Sequence, residues 1–372
     1  MDFVCLLKRS IYELKQAARS WNETIHNALE KIGFIQGNAD PCMYSAKLTG
    51  EWCFILIYVD DLVIISKELQ VIESVKKALS SEFEMQDLGK IKYYLGLEID
   101  RNQEGYYQIS QTNYIHQVAL LFGLNEAKAS NVPIDPNYDK SKDNTEILLN
   151  NANYQRLIGC LLYISVCTRP DISASVSILA QKVNRPTQRD WKELKRVVKY
   201  LVGSSELKLK LGKATNNEFV FGYADANWAE NKADRKSNSG YIFLVNGGVV
   251  SWACRKQTCV ALSTIEAEFI ALSSACQEAL WLHRILDDMK HPVSGAITIY
   301  EDNQSCLKLI EDEKLSNRTK HIDTRYHFVK DFINKGDVQC KYCPTEDMLA
   351  DLLTKPLPTH RLKLLREGCG LV

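Results

Sequence analysis

Two adjacent aspartates, Asp60 and Asp61, interrupt an otherwise apolar run at 52–66. An unpaired buried carboxylate is costly, so such a group neutralises, pairs or meets a cation. A solvated turn is the plain alternative, because Asp favours turns. Here Tyr58, Val59, Leu62 and Val63 press directly against the pair, which favours metal binding at a hairpin tip. Further along, Asp225 and Asp302 each end an apolar, strand-like segment, and Asp351 stands near the start of the last helical stretch. Between them a helix carries both Glu266 and Glu268. Taken singly, each is an ordinary surface acid among 46 Asp and Glu. Gathered together they would repel one another unless cations were present. Two divalent ions about 4 Å apart would relieve that repulsion, activate a water and stabilise a leaving oxygen.

Elements must position these groups. Leu14, Ala17, Trp21, Ile25 and Leu29 recur at helical spacing over 11–31, and Ile72, Val75, Leu79 and Phe83 mark a second helix. The run 52–66 reads as two strands broken by the Asp pair, and 93–99 as another short strand. This front part is an α+β pattern. A polar stretch at 131–153 with Pro133 and Pro136 is the best linker candidate, and 154–211 is helical in pattern. From 218 onward three strands (218–224, 240–245, 249–253) precede a helix at 264–289. A strand at 296–300, two helices (the second at 324–334), a strand at 338–342 and a helix at 347–354 follow. Ser263-Thr264-Ile265-Glu266 has the form of a capping box, which gives Glu266 a structural task. Helical periodicity does not separate Glu266 from Glu268, since apolar residues flank both.

Composition narrows the class without naming it. The 372 residues suggest two or three domains at about 100–200 residues each. With 46 basic and 46 acidic residues, bulk charge speaks for no partner. The zero total conceals a stretch at 182–213 with ten basic residues against three acidic. There Lys192, Lys195, Arg196 and Lys199 share one helical face, and Leu194, Val197, Val198 and Leu201 the other. An ordinary solvated face and a phosphate-backbone contact both fit that pattern. No apolar run reaches the ~20 residues of a membrane span. The short run near Phe3 lacks the form of an export signal. Twelve cysteines without regular spacing read as reduced thiols of a cytosolic or nuclear protein, not a secreted one. Cys340 and Cys343 have zinc or redox spacing but no second pair, so strand or loop thiols are the preferred reading.

Several of these segments carry a family resemblance in order. Tyr58-Val59-Asp60-Asp61 resembles the YxDD box of reverse transcriptases, and its surroundings resemble the polymerase of copia-type LTR retrotransposons (Pseudoviridae-like). Leu14-Lys15-Gln16-Ala17-Ala18-Arg19-Ser20-Trp21 is similar to that family's LKQAxRxW segment, which implies a nucleotide-pocket role for Gln16. Gly33-Phe34, Asp40-Pro41-Cys42, Asp87-Leu88-Gly89 and Tyr94-Leu95-Gly96-Leu97-Glu98-Ile99 follow in family order. Thr168-Arg169-Pro170-Asp171-Ile172 and Arg196-Val197-Val198-Lys199-Tyr200-Leu201 resemble the connecting region. Asp234-Arg235-Lys236-Ser237-Asn238-Ser239-Gly240-Tyr241 resembles the family's DRKSTSGY, and Glu268-Phe269-Ile270-Ala271 the E-L-x-A pattern of ribonucleases H.

The resemblance implies the C-terminal part of a Pol polyprotein, with three segments. These are a truncated reverse transcriptase (palm and thumb) at 1–130, a linker and helical connection at 131–213, and an α/β ribonuclease H-like domain (βββαβαβα) at 214–372. Asp225, Glu268, Asp302 and Asp351 would then be ligands of Mg²⁺ (or Mn²⁺) and would cleave the RNA strand of an RNA–DNA hybrid. Asp60 and Asp61 would be metal ligands of the polymerase half. The family's first polymerase aspartate lies well upstream of LKQA, where this sequence has only 13 residues before Leu14, and Glu13 replaces the usual glycine. The polymerase half is therefore expected to be inactive. Lys192, Lys195, Arg196 and Lys199 would contact the hybrid's backbone. The exposed apolar flank of a truncated palm implies a protein partner, the remaining Pol segments or another Pol chain, and no membrane. Location would be cytoplasmic, in a virus-like particle, or nuclear. A non-catalytic remnant, degenerate or host-recruited, that binds nucleic acid without turnover is the alternative. His321 and His327 read as helix-packing or exposed residues.

Overall fold

The computed structural model describes residues 14–138, 145–212, 218–228, 234–311 and 323–372. The chain forms two compact units, one within Met1–Ile91 and Trp281–Pro292, the other within Lys92–Leu280 and Val293–Val372. Among the described residues, no helix is long and apolar enough to cross a membrane.

In the first unit α1 (Ala17–Ile32) ends at Gly33, whose φ of 98° lets the chain turn back. The strands β1 (Ile35–Gln36), β2 (Met43–Leu48), β3 (Glu51–Tyr58) and β4 (Asp61–Ser66) pair in sequence order as an antiparallel sheet. The helix α2 (Leu69–Glu82) follows. Alternation along the strands turns Tyr44, Ala46, Cys53, Ile55 and Ile57 inward, against Ile25 and Leu29 of α1 and Val71, Val75 and Leu79 of α2. The expected helix over 11–31 is present from Ala17; positions 11–13 lie outside the described residues.

The second unit opens with β5 (Tyr93–Tyr94), β6 (Leu97–Arg101) and β7 (Tyr107–Ser110). The single strand expected at 93–99 is instead a tight hairpin. Leu95 (φ 50°) and Gly96 (φ 74°) turn the chain between β5 and β6. Then come α3 (Thr112–Leu121), α4 (Ala152–Cys167), α5 (Ser173–Ala180), α6 (Gln188–Val202) and β8 (Leu209–Leu211), which pairs with β7. The capping box of α6 is closed by Thr187 and Asp190.

The remaining elements are β9 (Val220–Ala226), β10 (Asn238–Val245), β11 (Gly248–Lys256), α7 (Thr264–Asp288), β12 (Ile297–Glu301), α8 (Gln304–Glu311), α9 (Asp323–Lys335), β13 (Val338–Tyr342), α10 (Asp351–Thr354) and α11 (Thr359–Gly368). Their sheet has the order β11-β10-β9-β12-β13. The first three strands are antiparallel, and β12 runs parallel to both β9 and β13. This is the mixed sheet that the resemblance to ribonucleases H implies. The helix expected at 347–354 is split into a 3₁₀ turn at Thr345–Asp347 and α10, because Met348 is extended (ψ 95°). The sequence reading has no counterpart to α11, whose N-cap is Pro358 and lacks a capping side chain.

One apolar core joins α3–α6 to this sheet. Leu157, Leu161, Val176, Leu194 and Val197 pack in the same cluster as Phe221, Ile242, Leu244 and Val249, with Leu352, Leu353, Leu362 and Leu365 from α10 and α11. The polar stretch 131–153 is therefore more than a linker. Ile134 and Tyr138 are buried in that cluster, and the Tyr138 hydroxyl donates to Asp190. The expected boundaries at 130 and 213 both fall inside the second compact unit.

Inside this core Arg169 and Asp171 are a fully buried ion pair. Arg169 donates from Nε and Nη2 to the Asp171 carboxylate at 2.9 and 2.8 Å, and to the Ser204 carbonyl and hydroxyl at 3.0 and 2.7 Å. Tyr200 donates to the same carboxylate at 2.5 Å. Removing one partner leaves the other charge buried alone. Arg169→Ala should lower the unfolding free energy by about 3–5 kcal/mol, read in urea melts followed by circular dichroism. A loss within the range of a surface pair would refute this account.

Candidate metal centre

Three of the acids singled out in the sequence meet at one end of the ribonuclease H sheet. Asp225 ends β9 and is 1% exposed, and Asp302 follows β12, the parallel neighbour of β9. Glu268 lies on the first turns of α7. Alanines make that meeting possible, since Ala226, Ala261, Ala267 and Ala271 pack together and let α7 approach the strand closely. The Glu268 carboxylate then accepts from the Ala226 N–H at 2.7 Å. Carboxylate oxygens of Asp225, Glu268 and Asp302 lie within 4.8 Å of one another, the one such group among the described residues. Glu266, by contrast, is spent on the helix start. It accepts from the Leu262 N–H at 2.5 Å, while the Ser263 hydroxyl accepts from the Glu266 N–H at 3.2 Å.

The fourth acid, Asp351, is buried beside this group but is already neutralised. Lys355 donates to its Oδ1 at 2.5 Å, and Arg361 to its Oδ2 at 3.1 Å. The same Lys355 ammonium reaches Asp225 Oδ1 at 3.2 Å, and the Thr354 hydroxyl donates to Asp225 Oδ2. Glycine makes room for these donors. Gly240 pairs with Asp225 across the sheet, and a Cβ there would meet Leu353 at 2.7 Å and Thr354 at 2.9 Å. Asn227 fixes the arrangement, donating to the Thr354 carbonyl at 3.1 Å and accepting from the Asn238 N–H at 2.6 Å.

Burial dominates the electrostatics. It raises the Asp225 carboxyl to about 6 even though the Lys355 charge opposes the rise. Burial, then the charges of Asp225, Glu301 and Asp302, push Glu268 up to about 11 against the Ala226 N–H. Glu301, at the end of β12, is raised well above the carboxylate range, chiefly by burial. One of its oxygens accepts from the Asn303 N–H at 3.0 Å; the other is buried without a hydrogen-bond partner among the described residues. Crowded carboxylates, whose charging is opposed by burial and by their neighbours at Asp225, Glu268 and Glu301, are a donor set that a divalent cation suits. Sequence reasoning missed Glu301, Lys355 and Arg361. Two signals were available: Glu301 extends the inward period of Ile297 and Ile299, and Lys355 is four residues after Asp351.

The other candidates are placed differently. Asp60 and Asp61 are exposed at the two-residue turn between β3 and β4, where Tyr58 pairs with Asp61. Solvated there, they carry no burial cost, and no third acid joins them among the described residues. Val59 takes a φ of 53°, rare for a β-branched residue, and its carbonyl accepts from Trp21 Nε1 at 2.6 Å. Gln16 is exposed at the N-cap of α1. On α6 Leu194, Val197, Val198 and Leu201 are buried as expected. Of the basic set only Lys192 is exposed, Lys195 lies over the Trp191 ring at 5.5 Å, Arg196 pairs with Glu193 at 3.0 Å, and Lys199 is half-buried. Cys340 and Cys343 are free thiols outside any acid or metal group among the described residues. His327 is exposed; His321 lies outside the described residues.

Residues 1–136 match the reverse transcriptase (RNA-dependent DNA polymerase) family. The chain is 32% identical over 376 residues to the retrovirus-related Pol polyprotein from transposon TNT 1-94 of Nicotiana tabacum, covering 99% of this chain and 28% of that polyprotein. It is 30% identical over 278 residues to a transposon Ty5-1 protein of Saccharomyces cerevisiae, covering 74% of this chain and 90% of that protein. Among solved structures, an RNase H1 from Halobacterium salinarum aligns at 16% identity with a TM-score of 0.29, covering 36% of this chain and 93% of that one. The chain spans about a quarter of the length of the Pol polyproteins it matches (28%, 24% and 25%).

The raised Asp225 carboxyl has a consequence for stability. Its folded value lies above the 3.8 of a free carboxyl, so its contribution to folding is present below about pH 4 and lost as pH rises through 6. In chelator, Asp225→Asn should therefore match wild type near pH 4 and exceed it at pH 7–8 by on the order of 2 kcal/mol. Millimolar Mg²⁺ at pH 7–8 should raise the melting temperature of wild type and leave the variant unmoved. Thermal melts decide it, and a wild-type-to-variant difference that ignores pH would count against the site.

Proposed function

The chain belongs to the Pol polyproteins of copia-type retrotransposons, and from that premise we propose that its acidic centre hydrolyses the RNA strand of RNA–DNA hybrids. The observation that carries this reading is the convergence of Asp225, Glu268 and Asp302 within 4.8 Å. In this reading 1–130 derives from a reverse transcriptase, 131–213 is the linker and connection, and 214–372 is the ribonuclease H segment. Its place of action would be cytoplasmic particles or the nucleus.

Asp225, Glu268 and Asp302 would hold Mg²⁺ or Mn²⁺, with Asp351 as the fourth acid. The bound ions would supply an activated water and stabilise the leaving 3′ oxygen. The chain's own residues do the rest. Burial excludes bulk water from Asp225, and the Ala226 N–H orients Glu268. Thr345 donates to Asp302 at 2.7 Å and fixes that carboxylate beyond the end of β12. Lys192, with the half-buried Lys195, Arg196 and Lys199, would contact the hybrid's phosphates, and 2′-hydroxyl contacts would select RNA. The exposed Tyr58, Val59 and Ile65 support a protein partner for the first unit, either other Pol segments or a second Pol chain.

Polymerase chemistry is not assigned to this chain. Two-metal nucleotidyl transfer draws carboxylates from two motifs, and Asp60 and Asp61 have no third acid gathered with them among the described residues.

A labelled RNA–DNA hybrid with Mg²⁺ tests the main reading. Asp302→Asn should slow cleavage at least about a hundredfold, the loss expected when a metal's several kcal/mol of transition-state stabilisation is impaired. If wild type cuts no better than Asp302→Asn, a nucleic-acid-binding remnant without turnover is the correct account. A primed RNA template with all four dNTPs tests the polymerase half. No primer extension is expected from this chain alone, and extension that depends on Asp60 would overturn that assignment.

A further inference from the structure

Asp351 stays outside the three-acid group although it is buried beside Asp225. The space between the two carboxylates is filled by the ammonium of Lys355, 3.2 Å from Asp225 Oδ1 and 2.5 Å from Asp351 Oδ1. We propose that Lys355 is a resident cation of the acidic centre: it occupies the gap between Asp225 and Asp351, so that one divalent ion binds at Asp225, Glu268 and Asp302 and a second binds only when Lys355 withdraws. This rests on reading the cluster as a metal site and adds to it a residue that sets how many ions the site accepts.

Three observations support it. First, the two cations on Asp351 are anchored unequally. Arg361 also donates to the Thr345 and Glu346 carbonyls, so its guanidinium is fixed by backbone. The Lys355 ammonium makes its polar contacts with the two carboxylates alone among the described residues. Second, its backbone is extended at the C-cap of α10 (φ −130°, ψ 142°), and its side chain remains about a third exposed. A four-carbon stem with an open side can swing out without disturbing the helix. Third, an ammonium and a divalent ion repel at such short range and cannot share one gap, so binding of either opposes the other. Arg361 stays on Asp351 in either state and leaves that carboxylate one oxygen for a metal.

Lys355 would thus be a positioning residue: it holds Asp225 and Asp351 in place while a single ion is bound, and it gives way when a second arrives. A permanent structural ion pair is the competing description, and ion counting separates the two. The full chain, without nucleic acid, is titrated with Mn²⁺ alone and followed by electron paramagnetic resonance and calorimetry. Wild type should bind one ion tightly and a second weakly. Lys355→Met should tighten the second ion on the order of tenfold or more, Lys355→Arg should behave as wild type, and Asp302→Asn should lose the first ion. An unchanged second ion in folded Lys355→Met overturns the proposal. So do two ions of comparable affinity in wild type, a result that stands even if the Met variant does not fold. If neither wild type nor Lys355→Met binds Mn²⁺, the metal reading falls and this proposal with it. Tight first-ion binding with an unchanged second ion removes only the role of Lys355.

Discussion

Repulsion among carboxylates gathered at the ends of two parallel strands is the constraint around which the second unit is arranged. The strand order brings the ends of β9 and β12 side by side, so Asp225 and the Glu301–Asp302 pair are neighbours whatever else the chain does. Glu268 then enters from α7. Four acids in that space would not coexist as bare anions. The chain answers with local donors: the Ala226 N–H on Glu268, Thr345 on Asp302, Thr354 and Lys355 on Asp225, and Lys355 with Arg361 on Asp351. These donors still leave Glu268 at about 11 and Asp225 at about 6. What remains uncompensated is the capacity for a further positive charge.

The aspartates of the first unit make the contrast. Asp60 and Asp61 occupy an equally distinctive sequence setting, yet both are exposed at a hairpin turn. Water screens their charges, and nothing in the fold forces a third acid upon them among the described residues. The strain in that turn lies in the backbone of Val59, held by Trp21, and not in its charges. Adjacent carboxylates in sequence are therefore a weaker sign of a charged centre than carboxylates at the ends of adjacent parallel strands. The second arrangement cannot be dissolved by rotating a side chain into solvent.

Much of this architecture is legible in the residues, for identifiable reasons. A meander of three strands followed by alternating helices and strands is a long, strongly periodic pattern that gives the element order, and the resemblance adds the sheet they form. Asp225 and Asp302 are visible because they terminate apolar strands, and Glu266 because a capping box has a fixed spacing. Only the resemblance separates Glu268 from it, since both positions are flanked alike; the alanine face that lets α7 close upon β9 is what brings Glu268 to the group. The pairing of Lys355 with Asp351 is written in their four-residue spacing, but the reach of Lys355 to Asp225 and the contribution of Arg361 are not legible, because both depend on how α10 and α11 fold back over the sheet. The burial of Ile134 and Tyr138 was hidden in the same way. Polar neighbours and prolines describe the surface of that stretch, while two apolar side chains decide that it packs.

The site and the core meet in α10. A helix of four residues cannot hold itself together by its own hydrogen bonds, so its position is set by what it rests on. It packs against β10, α5, α11 and the turn at Pro170–Ile172. Leu352 and Leu353 enter the common core, and Asp351, Thr354 and the adjacent Lys355 face the acids. The turn it rests on is fixed by the buried Arg169–Asp171 pair, which Ser204 and Tyr200 satisfy from the end of α6. Arg169 and Asp171 thus lie beneath the elements whose donors reach Asp225, although they stand more than fifty positions before it in the chain. A shift in that turn would reach the centre through α10 before it reached the sheet, because β9, paired on both sides, has far less freedom to move. The sheet sets where the acids converge, and α10 sets which local donors they meet.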